Sequence, residues 1–308
     1  MFGLAGSMFL GWSLGANDAA NVFGTAVAAR VIRFSTAAVV AALAILAGAY
    51  LEGGPGIETL SKVSSNTLHL ATIATVCAAL TVTAMTLVGL PVSTSQAVVG
   101  AIVGTGLATG QPDFSGLPKI VTCWVATPIA ATALACVAYR ALGLAMNRLR
   151  VSMLTRDRIL WNALIGVGVY GAYALGANNV ANVTGVFYGV GGFDSSAELA
   201  LIGGLSIAVG TVTYGQRVMM TVGANLVRLD AYSALVAIFA EAVTVHIFAN
   251  IGVPVSTSQA LVGGVIGVGL MRHARSIDAI VLKNIVLGWI LTPIAAGALA
   301  GVAAKAFS

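Results

Sequence analysis

Between Lys62 and Asp113 fifty consecutive residues pass without an Asp, Glu, Lys or Arg. No water-facing surface can be built from such a stretch. A soluble domain carries roughly a quarter charged residues, whereas this chain of 308 has 8% charged against 58% hydrophobic. A helix crosses the hydrocarbon core of a bilayer with about 20 mostly apolar residues, and successive stretches reach that length. The chain is therefore expected to be an all-α integral membrane protein. The stretch 1–29 does not read as a secretory signal, because it is too long and lacks a basic start and a cleavage site. The net charge of +5 does not point to nucleic acid, since the basic residues sit in short loops. Cys77, Cys123 and Cys136 lie in apolar runs without ligand-like spacing and read as small hydrophobes in helix packing. The chain shows no P-loop, zinc motif or nucleophile elbow, so neither a cofactor nor an enzyme activity is expected.

The chain is also written twice. SLGANDAANVFG, Ser13 to Gly24, returns as ALGANNVANVTG, Ala174 to Gly185. PVSTSQAVVG, Pro91 to Gly100, returns as PVSTSQALVG, Pro254 to Gly263. WVATPIAATALA, Trp124 to Ala135, returns as WILTPIAAGALA, Trp289 to Ala300. The order is kept, which chance likeness among apolar helices does not explain. Two repeats are expected, 1–149 and 150–308, joined by an Arg-rich connection at about 140–158. Each offers five apolar blocks, near 3–29, 35–51, 66–90, 92–110 and 118–139, then near 159–188, 197–214, 230–252, 254–271 and 280–304. An odd number of segments inverts the second repeat relative to the first, an arrangement found in many secondary transporters.

Charge distribution tests the inversion through the excess of Lys and Arg on the cytoplasmic side. With both termini outside, Arg30, Arg33, Arg140, Arg148, Arg150, Arg156, Arg158, Arg217, Arg228, Arg272, Arg275 and Lys283 fall inside. Only Lys62, Lys119 and Lys305 fall outside, joined there by Glu52, Glu58, Asp113, Asp194 and Glu198. The expected location is a plasma (inner) membrane, multi-pass, with the Arg-rich connection cytoplasmic. The third and fourth blocks of each repeat meet at Pro91 and Pro254 with almost no loop. Two full spans and a re-entrant hairpin both return the chain to the same side. Polar tips are tolerated at membrane depth where they line a watery cavity, which favours re-entrant hairpins or broken helices meeting at the midplane from opposite sides.

The repeated polar clusters carry the chemistry. Proline suits the entry to a helix and Ser or Thr beside it is a strong N-cap. Ser93, Thr94, Ser95 and Gln96, and again Ser256, Thr257, Ser258 and Gln259, then surround a first turn whose backbone N–H groups have no intrahelical partner. Such donors and the helix dipole favour an anion, and hydroxyls add bonds without a fixed positive charge. In the other cluster Asn17, Asp18 and Asn21 are matched by Asn178, Asn179 and Asn182. Their oxygens suit a hard monovalent cation or a proton, and the glycines around them, Gly15, Gly24, Gly176 and Gly185, are expected to let the helices unwind. Glu241 is the other intramembrane acid. The alternative for every cluster is structural: capping of a membrane helix, or bonds to neighbouring helices. Gly100, Gly104, Gly263 and Gly267 stand at GxxxG spacing and are expected to let helices approach closely.

GANDAANVFGTAV, Gly15 to Val27, its partner GANNVAN, and the two PVSTSQ stretches resemble the inorganic phosphate transporter (PiT) family, as does QRVMMTVGANL, Gln216 to Leu226. The resemblance covers essentially the whole chain. It implies a symporter that imports inorganic phosphate with sodium or protons by alternating access, through inverted repeats around a central site. It further implies phosphate contacts at Ser93, Thr94, Ser95, Ser256, Thr257 and Ser258, and cation contacts around Asn17, Asp18, Asn21, Asn178, Asn179 and Asn182; the residues themselves add Gln96 and Gln259 to the first set and Glu241, as ligand or as a carboxyl bonded to a neighbouring helix, to the second. The chain departs from the family in having Ser95-Gln96 and Ser258-Gln259 where many members have Thr-His. It also has Asn179 where the second cluster commonly carries Asp. Other readings are a transporter of another tetrahedral oxyanion such as sulfate, and a passive anion channel. The partners expected are phosphate, the coupled sodium or proton and the lipid bilayer, with no nucleic acid; the oligomeric state, monomer or homo-oligomer, is open.

Overall fold

The computed structural model describes residues 2–63, 67–87, 92–110, 114–226, 230–272 and 279–307. Pro91, Asp113, Arg228 and Arg275, which entered the reading of the turns and the charges, lie outside the described residues. The helices are α1 (Phe2–Ala28), α2 (Phe34–Glu52), α3 (Gly54–Ser61), α4 (Leu68–Leu87), α5 (Thr94–Thr109), α6 (Leu117–Arg148), α7 (Met153–Thr184), α8 (Ser196–Leu226), α9 (Ala231–Asn250), α10 (Thr257–Met271) and α11 (Ala279–Phe307). Among the described residues no β-strand forms, only an isolated bridge between Val190 and Phe193. Among the described residues seven helices are long and apolar enough to cross a membrane.

Each of the ten apolar blocks becomes a helix. Among the described residues the one helix outside them is α3, GPGIETLS, whose eight residues are too few and too polar to register as an apolar run. Pro55 starts it, and Ile57 and Leu60 on its inner face are fully buried. The hairpin regions combine one long and one short helix. α4 and α9 have 20 residues each, whereas α5 has 16 and α10 has 15, below the roughly 20 needed to span.

The packing is reciprocal between the repeats. α1 lies against α8 and α2 against α7; α5 lies against α11 and α10 against α6. The inversion shows in the register of α1 on α7. Near the start of α1 the Ser7 hydroxyl donates to the Val183 carbonyl at 2.6 Å, and near its end the Phe23 ring sits against Gly168. Rising numbers in one helix meet falling numbers in the other, so the matched helices run antiparallel.

Glycines set the closest crossings, in matched pairs. A Cβ on Gly15 would lie 1.9 Å from the Ile207 carbonyl oxygen, and one on Gly176 would lie 2.0 Å from that of Ile45. The GxxxG positions behave as expected: Gly100 and Gly104 meet Pro293 and Gly297 of α11, and Gly263 and Gly267 meet Pro128 and Thr132 of α6. The expected unwinding around Gly15, Gly24 and Gly176 does not occur, since all three lie inside the continuous helices α1 and α7, and Gly185 follows directly on α7. At Gly15 and Gly176 the physical reason is the contact itself: the absent Cβ admits a neighbouring backbone, which braces the helix instead of loosening it.

Candidate functional site

The starts of α5 and α10 face one another. Ser93 is the N-cap of α5, its hydroxyl accepting from the Gln96 backbone N–H at 3.4 Å; Ser256 caps α10 in the same way, accepting from Gln259 N–H at 3.3 Å. In each cap the first serine is paired with the second, Ser93 with Ser95 at 3.2 Å and Ser256 with Ser258 at 2.9 Å. The Ser258 hydroxyl then donates to the Val92 carbonyl at 3.2 Å, joining the tip of the second repeat to the tip of the first. Ser93, Thr94, Ser95, Gln96, Ser256, Thr257 and Gln259 are buried and Ser258 half-buried. The side-chain carbonyl oxygens of Gln96 and Gln259 are buried without a partner.

The other two clusters lie against these tips. Thr257, the first residue of α10, donates its hydroxyl to the Asp18 carboxylate at 3.0 Å, a bond between the repeats. Asp18 and Asn21 are buried and Asn17 is half-buried on α1. On α7, Asn178 clamps the peptide before the α10 cap from both sides: its Nδ2 donates to the Val255 carbonyl at 2.8 Å and its Oδ1 accepts the Val255 N–H at 3.0 Å. Asn179 Oδ1 accepts from Asn178 and Asn182. Asn178 thus shapes the helix tip, a role its place in an amide cluster did not reveal. Asn178→Ala would leave two buried backbone groups of Val255 unpaired, at about 1–3 kcal/mol each. A fall in the melting temperature of the detergent-solubilised protein is the expected result, larger than for the half-buried Asn17→Ala.

Glu241 on α9 is 1% exposed, and neither carboxylate oxygen has a partner. Among the described residues the ion pairs are His246–Glu52 and Arg272–Asp230, neither of them at these clusters. Arg30, Arg33, Lys62, Lys119, Arg140, Arg148, Arg150, Arg156, Arg158, Arg272, Lys283 and Lys305 are all exposed. The compartment therefore combines two helix N-termini and their hydroxyls, which suit an anion, with two carboxylates and no described Lys or Arg.

A second polar group was not legible in the sequence. His246 Nε2 lies 2.5 Å from the Glu52 carboxylate, and its Nδ1 lies 2.7 Å from the Tyr170 hydroxyl, with the Tyr173 ring edge-on to the imidazole. Its members come from three helices and both repeats, and no spacing links them.

A family model described as the phosphate transporter family matches residues 14–164 and again 147–300. The “Putative phosphate permease” of Pyrococcus furiosus is 29% identical, over 96% of this chain and 93% of that protein. Sulfate permease CysP of Bacillus subtilis is also 29% identical, over 93% of this chain and 82% of its own length. A solved structure of the sodium-dependent phosphate transporter superposes with a TM-score of 0.87 at 25% identity, covering 99% of each chain. The double match of one family model to the two halves, on a helical membrane fold with paired polar tips, identifies this chain as a member of the phosphate transporter family, a transporter and not an enzyme.

Proposed function

We propose that this protein is a cation-coupled symporter that imports inorganic phosphate by alternating access. The observation that carries the reading is the junction of the two helix starts, Ser258 on Val92 with Thr257 on Asp18. Phosphate sits between the capped N-termini, bonded by the hydroxyls of Ser93, Thr94, Ser95, Ser256, Thr257 and Ser258 and flanked by Gln96 and Gln259. With no described Lys or Arg at hand, the anion needs a co-bound cation, held by oxygens drawn from Asn17, Asp18, Asn21, Asn178, Asn179, Asn182 and Glu241. Sodium is favoured over a proton by the likeness to the sodium-dependent phosphate transporter. The reciprocal packing supports alternating access, because exchanging the conformations of two matched repeats moves the opening from one side to the other. The repeats divide at Leu149–Arg150. The start of α1 and the end of α11 face outward and the Arg-rich connection faces the cytoplasm of a plasma membrane, a reading that the distribution of basic residues supports.

The test is radiolabelled phosphate uptake into proteoliposomes with sodium and pH gradients imposed separately. Uptake should follow one of the gradients and stop when it is collapsed; phosphate flux independent of both would mean a passive channel. Ser93→Ala and Ser256→Ala each remove a cap and a ligand. Each should raise the half-saturating phosphate concentration roughly 10- to 150-fold, as expected for one lost hydrogen bond to a charged group of about 1.5–3 kcal/mol. An unchanged concentration dependence in both would remove these tips from the site.

Sulfate is a second reading, favoured by the likeness to CysP at the same identity as to the phosphate permease. Hydroxyls and helix ends bind either tetrahedral anion. Phosphate at neutral pH carries a proton that a carboxylate can accept as a hydrogen bond, whereas sulfate carries none, and Asp18 and Glu241 supply two such acceptors. A hundredfold excess of sulfate should leave phosphate uptake largely intact; strong competition would favour the second reading.

A further inference from the structure

Away from the helix tips, a cluster of titratable side chains bonds the two repeats to each other. The carboxylate of Glu52, the last residue of α2, lies 2.5 Å from His246 Nε2 on α9. The other ring nitrogen, Nδ1, lies 2.7 Å from the Tyr170 hydroxyl of α7. The Tyr170 and Tyr173 rings stand edge-on to the imidazole, 5.4 and 5.6 Å away between centroids. The side chains of Glu52 and His246 are 33% and 20% exposed, so the pair is open to protons from the side on which α2 ends. The fold does not require charge at this place. Gly48 and Gly210 are matched positions, a Cβ on each lying 2.0 Å from the carbonyl oxygen of Tyr173 and of Trp12. Counted from them and from the PVSTSQ stretches, Glu52 is matched by Tyr214, Tyr170 by Phe9 and His246 by Thr83. There rings pack instead, Trp12 lying 6.1 Å from Phe9 and 5.6 Å from Tyr214.

The network takes up a proton without losing a bond. With the ring neutral, Nε2–H donates to Glu52 and Nδ1 accepts the Tyr170 O–H. With the ring protonated, Nδ1–H donates to the Tyr170 oxygen, because a hydroxyl serves as donor or acceptor. Only the charge changes, and it turns a hydrogen bond to the Glu52 carboxylate into an ion pair. An imidazole makes this change between about pH 5 and 8. The groups facing the ring are Glu52 of α2 and Tyr170 and Tyr173 of α7. On the other helices packed against α9, Lys119 of α6 bonds the Ile251 carbonyl, Asp18 of α1 accepts from Thr257, and Arg272 beyond α10 pairs with Asp230. Glu58 of α3 and the charged residues Arg140, Arg148, Arg156, Asp157 and Arg158 of α6 and α7 are exposed. Glu241 lies five residues back on α9, off the three- and four-residue spacing that brings side chains together.

We propose that His246, Glu52 and Tyr170 form a regulatory proton-binding site, whose occupation clamps the arm of the second tip to α2 and slows transport. α9 is that arm: His246 stands ten residues before Ser256, the cap of α10. The turn between them also rests on the first repeat, through Lys119 on Ile251 and through Gly252 against Pro55 of α3. The proposal rests on the alternating-access reading above. If the repeats move against one another in each cycle, a tie between α2 and α9 must loosen and reform each time. Protonation strengthens the tie and holds the arm; loss of the proton leaves one hydrogen bond and frees it. The proton is bound and released on one side, the outer side in the orientation proposed above, and is not carried with the solute.

The experiment has two arms, both on the full-length protein. The first is melting in detergent without solute, from about pH 5.5 to 8.5, of wild type, His246→Gln and Glu52→Gln. An ion pair that exists only while the ring is charged contributes at low pH and is lost as pH rises. Wild type should therefore melt about 1–3 °C above each variant at the acid end, with the gap narrowing toward the alkaline end. The second arm is initial-rate phosphate uptake into proteoliposomes under a fixed sodium gradient, with equal pH on both sides. Rates are taken relative to wild type, which removes the titration of phosphate itself. Each variant should be roughly 2- to 5-fold faster than wild type at the acid end and level with it at the alkaline end. The double variant should match the single ones, since they remove the same pair. Arg272→Gln breaks a pair whose guanidinium does not titrate in this range and should keep the wild-type profile. A melting gap or a rate ratio that stays constant across pH would overturn the proposal, as would variants slower than wild type at the acid end. Absence of phosphate uptake by wild type would refute the phosphate reading instead; the melting arm then still decides the proton site, and the rate ratios are read with labelled sulfate.

Discussion

Asp18→Asn is expected to cut gradient-driven phosphate uptake by about 100-fold or more, the equivalent of roughly 2.7 kcal/mol, and to leave the residual flux insensitive to the cation gradient. The substitution keeps the shape of the side chain and can still accept the Thr257 hydroxyl, so the chain should fold. What it removes is the charge. A hydrogen bond to a charged group contributes about 1.5–3 kcal/mol, and Asp18 is the place where a hydroxyl of one repeat meets a carboxylate of the other. An asparagine there makes the first cluster resemble the second, whose matching residue is already Asn179. The measurement is initial-rate uptake in proteoliposomes against the imposed cation gradient, at equal amounts of folded protein. Uptake that kept its cation dependence would show that the coupled ion binds elsewhere, whatever happened to the rate.

The second large effect is on stability. Gly15→Val and Gly176→Val should each destabilise the protein by roughly 3 kcal/mol or more, at or above the upper end for overpacked interiors. Even the first carbon of a side chain would sit 1.9 or 2.0 Å from a carbonyl oxygen of the neighbouring helix, and backbone cannot step aside as a flexible side chain can. α1 would be pushed from α8 in one variant and α2 from α7 in the other. Gly166→Ala is the contrasting case. Nothing lies within 4 Å of its added carbon, and alanine is the better helix former by about 1 kcal/mol, so the melting temperature should hold or rise. Melting in detergent, followed by light scattering or tryptophan fluorescence, separates the three. A Gly176→Val protein as stable as wild type would mean that the α2–α7 crossing is not as close as described.

Much of this was legible before any coordinates. Membrane residence follows from the shortage of charge, the ten long segments from the apolar blocks, and the duplication from three ordered matches that include Asn, Asp, Ser and Gln. The caps at Ser93 and Ser256 could be read locally, because a hydroxyl three residues before a backbone N–H is a short-range pattern. α3 escaped because eight mixed residues have neither the length nor the apolarity that marks the other helices. The expected unwinding beside Asp18 failed for a different reason. Glycine permits both a loosened turn and a close crossing, and only the neighbour decides between them.

The amino-acid order by itself determined that the chain lies in a membrane, that it is built from two opposed copies of one plan, and which polar residues each copy presents. Those properties depend on composition and on spacings of a few residues. The tertiary structure decided what each polar atom touches: Asn178 on Val255, Ser258 on Val92, Thr257 on Asp18, His246 on Glu52, and Glu241 on no partner. These bonds join residues from 77 to 239 positions apart, and so depend on how whole helices cross. Two clusters nearly identical in letters thereby came to differ in chemistry, one sealed by its own amides and the other left with a free carboxylate.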